Sequence, residues 1–388
     1  MTRFLDNATH PKVDHQRRHL IADTVRLAAL TSVGLATLLP ANAASTSSGS
    51  SSRLLFSAGK DLQGNYGLFR ADDSGIKLVT PLPSRAHEVL IHPNKQQLLV
   101  LARRPEKWCL VFDIASNQLV QTIKTGNDSH LYGHAVFDHS GRFLITTENH
   151  IETGEGQIVL RDSHKQYAIS KTFPSYGIGP HQLKLMPSGN TVVVANGGIH
   201  THPQHGREKL NLATMRPNLS YINLTSGTLS EQVTLPNSLH QLSIRHLDIN
   251  PKGDVAIAMQ YQGDTTDHVP LVANHRQGQP LRILEIPLNE IRKMRGYCGS
   301  VCFDTSGQYL AVSAPRGDSV VFFDFAEKRY LGTRRIPDGC GLASSAVGTF
   351  DISSGHGKLY QHTLGHHDNS ASSVNSDISF DNHLSALS

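Results

Sequence analysis

The sequence lacks several patterns that assign a protein to a functional class. Its 388 residues contain no block of Lys or Arg and carry a formal net charge of only +4, so the electrostatic footprint of a nucleic-acid-binding protein is missing. A long hydrophobic run is also absent: the mildly apolar stretch Leu27–Leu39 falls short of the roughly 20 residues that a bilayer span needs. No Gly-x-Ser-x-Gly elbow, zinc-protease motif or Cys-x-x-Cys-His haem motif occurs. These absences remove the enzyme classes that such motifs identify.

The N-terminal residues 1–43 are predicted to be a signal peptide. Arg17 and Arg18 precede the apolar stretch, and Ala41-Asn42-Ala43 follows it as a small-x-small cleavage site. The paired arginines favour a twin-arginine signal, with the general secretory route as the alternative. Residues 44–52 form a predicted Ser-rich linker. We therefore expect a periplasmic protein without a transmembrane anchor in its mature chain.

Cysteine is scarce, with four in the chain. Four cysteines in an exported protein permit disulfides. Cys298 and Cys302 lie on one predicted strand, about 13 Å apart, which exceeds the span of a disulfide. Cys298 with Cys340, at the entrances of two consecutive repeats, is therefore the disulfide candidate. Cys109 lies in an apolar run and is expected to be a buried small hydrophobe.

One type of turn, Pro/Ser/Asp-x-Gly or a close variant, recurs along the mature chain. Each turn follows a short strand, and a strongly apolar strand follows most of them. Repeats of this kind, with a helical pattern only at Leu288–Arg295, are typical of the blades of a β-propeller. The turns are His92–Lys95, His139–Gly141, Pro187–Gly189, Pro251–Gly253, Thr305–Gly307 and Ser353–Gly355. The apolar strands are Leu98–Ala102, Phe143–Thr147, Thr191–Ala195, Val255–Met259 and Tyr309–Ser313.

The repeats predict an all-β, seven-bladed propeller of the YVTN or WD40 type over residues 53–364. Six turns mark six blades. The segment Arg53–Pro83 has strands without a leading turn, and the last turn is followed only by Lys358–Leu364. Joining these N- and C-terminal strands completes a seventh blade and removes the open sheet edges. Residues 365–388, rich in Ser, Asn and His, are predicted to form a disordered polar tail.

A long polar loop, Gly197–Leu219, interrupts the repeat, and loops of this length are usually functional or disordered. Together with shorter motifs it resembles a bacterial family of exported propellers that is catalogued as a domain of unknown function and grouped with YVTN-type repeats. The motifs are Tyr132-Gly133-His134, Thr147-Glu148-Asn149, Gly179-Pro180-His181, Asn196-Gly197-Gly198-Ile199, Thr201-His202-Pro203, Gly206-Arg207, Lys209-Leu210-Asn211, His240–His246, Tyr261-Gln262-Gly263 and Pro315-Arg316-Gly317. The resemblance implies a genomic neighbourhood of imelysin-type and dihaem oxidoreductase-like proteins linked to iron acquisition.

Histidines mark the predicted channel. His87, His134, His181 and His246 each precede one of the turns by a few residues, which places them near the start of an innermost strand, at one end of the channel. Neutral imidazole suits Zn, Cu and Fe, so His134, His181 and His246 are the predicted metal ligands, with iron, copper or zinc as the ion. Hydrogen-bonded spacing between blades is the alternative role. The C-terminal histidines are predicted to be solvated: His356, His362, His366, His367 and His383.

Arginines extend the predicted ligand site at the channel mouth. Guanidinium groups bind planar anions bidentately, so a carboxylate, a phosphate or a metal chelate would suit them. Salt bridges or hydrogen bonds to loop carbonyls are their alternative role. The predicted ligand-binding residues are His134, Glu148, His181, His202, Arg207, Arg245, His246 and Arg316.

Three functions stay open at this level. The favoured one is a binding or accessory protein in metal or iron physiology, with partners in a periplasmic uptake or redox system. The second is a lactonase-like hydrolase in which Glu148, with His181 or His246, acts as a base, an idea that rests on fold analogy. The third is a protein-binding scaffold without a small ligand.

Overall fold

The computed structural model describes residues 53–365 and 377–387, which are built mainly from β-strands. Their strands form seven antiparallel sheets, so the predicted seven-bladed propeller is confirmed. The predicted signal peptide, the linker up to residue 52 and residues 366–376 lie outside the described residues.

Six of the seven blades consist of strands that follow one another in the chain, and blade 1 receives two further strands from the C-terminal segment. The strands of blades 1 to 4 are β1 (Leu54–Asp61), β2 (Tyr66–Asp72) and β3 (Gly75–Pro81); β4 (Ala86–Ile91), β5 (Gln97–Ala102), β6 (Trp108–Asp113) and β7 (Leu119–Lys124); β8 (Ser129–Phe137), β9 (Phe143–His150), β10 (Glu155–Asp162) and β11 (Ala168–Ile178); β12 (Pro180–Leu185), β13 (Thr191–Asn196), β14 (Asn218–Asn223) and β15 (Leu229–Thr234). The remaining strands are β16 (Leu242–Ile249), β17 (Asp254–Tyr261), β18 (Val272–Arg276) and β19 (Arg282–Ile283) in blade 5; β20 (Ser300–Phe303), β21 (Tyr309–Ala314), β22 (Ser319–Asp324) and β23 (Arg329–Arg335) in blade 6; β24 (Gly339–Ala346), β25 (Thr349–Ser354) and β26 (Leu359–Thr363) in blade 7; and β27 (Ile378–Phe380) and β28 (Ser385–Leu387).

Helical structure is sparse in the described residues. The α-helix α1 (Leu288–Met294) confirms the helical pattern predicted at that place. Short 3-10 turns occupy Ser163–Lys165, Pro203–His205, Leu212–Thr214, Asn237–Leu239 and Pro315–Gly317. None of the helices in the described part of the chain has the length and apolarity needed to cross a membrane.

The first strand of each blade lines the channel. The strands β4, β8, β12, β16, β20, β24 and β28 contact one another in that order, and β28 contacts β4, so the circle of inner strands is closed. The second strands, such as β5 and β13, are buried along nearly their whole length because neighbouring blades cover both of their faces. Outermost strands such as β7 are largely exposed. This difference explains why the second strands are the apolar runs visible in the sequence.

Closure of the propeller uses residues that the sequence analysis assigned to a polar tail. β27 pairs with β1 at Gly59–Asp61, and β28 pairs with β1 at Leu54–Phe56. The expectation that N- and C-terminal strands share a blade is confirmed, but the boundary at residue 364 is wrong: the propeller extends to Leu387. The apolar side chains Phe380 and Leu384 are buried in the core of this blade, which stabilises the closing segment.

The last predicted turn occupies a different place in its blade. Ser353 and Ser354 end β25, so Ser353–Gly355 joins the second and third strands rather than the first and second. The residues after it, predicted to join the N-terminal blade, form β26 of blade 7. The blade count is unaffected because the C-terminal segment supplies the strand that closes blade 1.

The predicted disulfide is not formed. The four cysteines are free thiols, and Cys298 and Cys340 belong to different hydrophobic clusters. Cys298 Sγ points to the carbonyl of Leu271, whereas Cys340 Sγ lies near Ser353 and the C-terminal segment. Burial raises the pKa of both thiols to about 12, so each behaves as a small core residue. Cys109 is buried, as predicted.

Candidate metal centre

Five histidine side chains meet at one end of the channel. Four of them lie on the inner strands β4, β8, β12 and β16 of blades 2 to 5, and the fifth lies in the segment between β27 and β28 that belongs to blade 1. Each is at most 7% exposed. We call them the histidine circle: His383, His87, His134, His181 and His246, in blade order.

Neighbouring rings of the histidine circle are in van der Waals contact all the way round. In blade order their centroids are separated by 4.7, 4.7, 5.0 and 4.7 Å, and His246 lies 5.1 Å from His383, which closes the circle. His134 also lies 4.6 Å from His383 and 5.7 Å from His246. The ring of His134 therefore contacts all four others and is the centre of the group.

Two triads in this group have the spacing of metal ligands. One ligand atom from each of His87, His134 and His181 lies within 4.8 Å of the others, and the same holds for His134, His246 and His383. Three imidazole nitrogens are the ligand set of several catalytic zinc sites, so either triad is a candidate set of metal ligands. His134 belongs to both triads.

Backbone irregularities turn these side chains toward the channel. The inner strands of blades 2 to 5 each carry a register shift at the level of the histidines, and an extra unpaired residue in a strand re-aims the local side chains. In blade 1 the same level is the gap between β27 and β28. The shifts lie between Ala86 and Val89, between Leu131 and Ala135, between Pro180 and Gln182, and between Ile244 and His246.

Gly133 makes the close packing possible. Its φ of +103° lies in the region that favours glycine, and a Cβ at this position would be 2.7 Å from Cδ2 of His87. A larger residue would therefore push His87 out of the circle.

Burial keeps the five imidazoles neutral. It lowers the pKa of every ring in the histidine circle, and in His134 and His246 the neighbouring imidazoles lower the pKa further. In His87 the carboxylate of Asp381 offsets part of this effect on the pKa. A neutral imidazole has a free lone pair, which is the form that binds metal ions.

Many of these ring nitrogens have no hydrogen-bond partner among the described residues. The unpartnered atoms are His87 Nδ1, both nitrogens of His134, His181 Nδ1, His246 Nδ1 and His383 Nε2. A buried polar atom left unpaired costs about 1–3 kcal/mol, so a bound ion or another ligand would relieve several such costs at once.

Two carboxylates lie directly outside the circle. Glu88 Oε2 is 3.2 Å from His134 Nδ1, without the alignment of a hydrogen bond, and accepts a hydrogen bond from the Ala135 amide. Asp381 Oδ1 is 3.5 Å from His87 Nδ1, and its other oxygen accepts from Arg85 at 2.6 Å. Burial would raise the pKa of Asp381, but the contact of this carboxylate with the His87 ring and with the Arg85 guanidinium outweighs burial and holds the pKa far below its usual range. Two carboxylates thus lie within 3.5 Å of ring nitrogens of the circle, and Arg85 already compensates the charge of Asp381.

The predicted metal ligands His134, His181 and His246 come together in this structure. Arg245 lines the same place: a cavity of about 40 Å³ lies against the circle, with Tyr297 and Gln260 also in its wall. Arg316 is one step further out, its guanidinium carbon 4.3 Å from the centroid of the Tyr297 ring.

Three predicted residues lie elsewhere. Glu148 is buried in blade 3, where it accepts hydrogen bonds from Arg161 at 2.7 Å and Thr146 at 2.8 Å, and it is not among the residues that line the circle. This placement removes the basis for Glu148 as a channel-mouth base. His202 and Arg207 line a separate cavity of about 290 Å³ under the long loop.

The position of His383 contradicts the prediction that it is solvated. Its ring is buried and contacts three other rings of the circle. The apolar residues Phe380 and Leu384, which flank His383 in the sequence and are buried, are the sequence signal that this segment packs against the propeller. His356 is exposed, His362 is half-buried beside Arg334, and His366 and His367 lie outside the described residues.

The comparisons with known proteins give a family and a fold. A family model for proteins of unknown function, DUF1513, matches residues 80–387. No curated protein matches the sequence. Among solved structures, hydrazine synthase of Kuenenia stuttgartiensis is similar with a TM-score of 0.57 and 14% identity, over 77% of this chain and 90% of that one. A likeness at this identity shows the propeller fold alone.

Proposed function

The chain belongs to the DUF1513 family of proteins of unknown function, and we propose that it binds a transition-metal ion in the histidine circle. The observation that carries the proposal is the convergence of five buried, neutral imidazoles whose nitrogens largely lack partners. Histidines that only space blades apart would be expected to use those nitrogens in hydrogen bonds to neighbouring strands.

The donor set narrows the choice of ion. Imidazole nitrogen suits Fe, Cu, Zn and Ni, whereas Mg²⁺ and Ca²⁺ prefer oxygen ligands. Glu88 and Asp381 lie outside the nitrogen donors, in the position where carboxylates commonly orient metal-bound histidines and compensate their charge. The site is therefore suited to hold a divalent ion of the later first-row metals.

The proposal extends to a binding or accessory role in periplasmic iron handling. The signal peptide predicted in residues 1–43 supports export, and the genomic neighbourhood of the family that the sequence resembles supports a link to iron. Catalysis is not part of the proposal, because the residue expected to act as a base, Glu148, is engaged by Arg161.

The test is the metal content of the untagged protein purified from the periplasmic fraction of its host. Iron, copper or zinc should be present at close to one ion per chain, and the double variant His134→Ala/His246→Ala should retain about a tenth of it or less. The double variant His139→Ala/His205→Ala is the matched control, since it removes two exposed histidines outside the circle.

Two results would decide against the proposal. One is a metal-free protein that takes up no Fe²⁺, Cu²⁺ or Zn²⁺ in anaerobic titration. The other is equal loss of metal in the two double variants, which would place the ion outside the circle. Circular dichroism and thermal unfolding must show that both variants are folded.

A further inference from the structure

The cavity under the long loop has an unusual charge. Three arginines line it, Arg103 and Arg104 from the loop after β5 and Arg207 from the long loop, together with His130 and His202. Among the described residues, no carboxylate is part of its wall. We call it the arginine cavity. Its volume of about 290 Å³ is enough for a small molecule rather than a lone ion.

One of these arginines lacks a partner that a buried guanidinium group normally has. Arg103 Nη1 is buried and has no hydrogen-bond partner in the described structure. Burial, followed by the charges of Arg85 and Arg207, lowers the pKa of Arg103 to about 10, even though Asp381 acts in the opposite direction. Positive charges that lie close together without enough counter-charge repel one another, and a bound anion would relieve that repulsion.

The long loop is held in place over this cavity. Arg104 donates a hydrogen bond to the hydroxyl of Thr201 at 2.7 Å, which ties the loop to blade 2. Inside the loop, Asn211 donates to the Gly198 carbonyl at 2.8 Å and accepts from the His200 amide at 2.7 Å. These hydrogen bonds fix the position of the loop and of Arg104 at the wall of the cavity.

The arginine cavity and the small cavity beside the histidine circle are neighbours. Arg103 and Arg104 belong to the walls of both, and Arg245, which lines the inner cavity, has a buried Nε without a partner. Excess positive charge thus continues from the arginine cavity to the edge of the circle.

We propose that the arginine cavity binds a small multivalent oxyanion, either a polycarboxylate or a phosphate. Arg103, Arg104 and Arg207 contact it through paired N–H donors, and His130 and His202 complete the wall. This site does not depend on the metal in the histidine circle, although an anion bound here would lower the electrostatic barrier that the arginines present to an incoming cation.

The test is calorimetric titration of the chelator-treated, metal-free full chain with citrate and, separately, with inorganic phosphate. At least one anion should bind at one site per chain, and the tighter of the two identifies its chemical class. Arg207→Gln, in the exposed part of the loop, should weaken binding about ten-fold or more, because it removes a charge-assisted contact. Arg103→Gln should weaken it at least as much.

Arg282→Gln is the matched control, since Arg282 is an exposed arginine on β19, in a different blade. Absence of binding of both anions at millimolar concentration would overturn the proposal. So would an equal effect of Arg207→Gln and Arg282→Gln, which would indicate non-specific attraction. Because the titration uses metal-free protein, its result stands whether or not the histidine circle holds an ion.

Discussion

The level of the channel at which the histidine circle lies differs between two groups of blades. In blades 1 to 5 it carries a histidine, whereas near the start of the inner strands of blades 6 and 7 lie Gly299 and Gly341, which pack closely against their surroundings. A Cβ on Gly299 would lie 2.7 Å from Cγ of Pro315, and a Cβ on Gly341 would lie 2.6 Å from Oγ of Ser353. Blades 6 and 7 therefore have no room for a side chain at these two positions.

This difference explains the geometry of the histidine circle. With no side chain from blades 6 and 7, His246 and His383 approach each other across the channel, and the five rings close on themselves. His134 belongs to blade 3, the middle one of the five, and accordingly contacts all the others. The sevenfold repeat supplies equivalent positions, and local packing decides which of them carry ligands.

Removing the closing segment should have the largest effect, because it removes the contribution of blade 1 to both the fold and the site. Deletion of residues 377–387 takes away β27 and β28, leaves the edge of β1 unpaired and opens the circle of inner strands. We expect loss of soluble, cooperatively folding protein. The variant His383→Asn should remain folded and lack only one candidate metal-binding side chain. A deleted chain that melts within a few degrees of the full chain would contradict this account.

The next largest effect is expected in the pH dependence of stability, to which the five buried histidines of blades 1 to 5 contribute. Since burial lowers the pKa of the five histidines, the unfolded chain takes up protons at a higher pH than the folded one. Stability of the metal-free protein should thus be full above the ordinary histidine pKa of about 6.5 and fall as the pH drops below it, by up to about 1.4 kcal/mol per pH unit for each histidine.

Denaturant unfolding of the metal-free protein between pH 5 and 8 measures this slope. His246→Gln should reduce the slope by the share of one histidine, whereas His139→Gln, at an exposed turn of blade 3, should leave it unchanged. Identical slopes in the His246→Gln variant and the unaltered protein would show that His246 is not held neutral by burial.

Two glycine variants, one in each group of blades, compare the two groups directly, with smaller expected effects on stability. Gly133→Ala places a methyl group against His87 in a backbone conformation that disfavours alanine, so we expect a loss of about 1–3 kcal/mol of stability and weaker metal binding. Gly299→Ala makes a similarly close contact in blade 6, but with Pro315. It should lower the melting temperature while the metal affinity stays unchanged. Equal metal affinity in both variants would show that the position of His87 is unimportant.

The smallest effect is expected at the thiols of blades 6 and 7. Cys298 and Cys340 are free and lie in separate hydrophobic clusters, so a reducing agent should leave the melting temperature unchanged. Mass spectrometry after alkylation in denaturant should count four free thiols. Detection of a Cys298–Cys340 linkage in the purified protein would contradict the structure.

The sequence predicted the fold and most of the histidine circle because both follow from local patterns. The buried second strands are apolar runs between Gly-containing turns, and His87, His134, His181 and His246 hold equivalent positions before those turns. His383 has no such marker. Its strands β27 and β28 have three residues each, too few to show a period, and their partner β1 lies at the other end of the chain.

The residues that line the cavities were harder to predict for a related reason. Arg103 and Arg104 acquire their surroundings from a loop of blade 4 that crosses to blade 2, a contact without a sequence signature. Glu148 is the opposite case. It lies in a motif that predicts a place at the channel mouth, but neighbouring residues of a strand point to opposite faces. Its side chain instead accepts a hydrogen bond from Arg161 on the adjacent strand.

The position of His383 and Asp381 beyond blade 7 has a consequence for the order of events during biosynthesis. A nascent chain that has emerged only as far as residue 365 can form six blades and part of a seventh, yet it has neither the strand that locks them nor the last ligand and its carboxylate. If the histidine circle binds a metal as proposed, all five histidines are available to it only after synthesis has passed residue 383. A chain cleaved by a protease before that point would lack both the closing strands and His383, so under the proposed function its metal content should be lower than that of the intact protein.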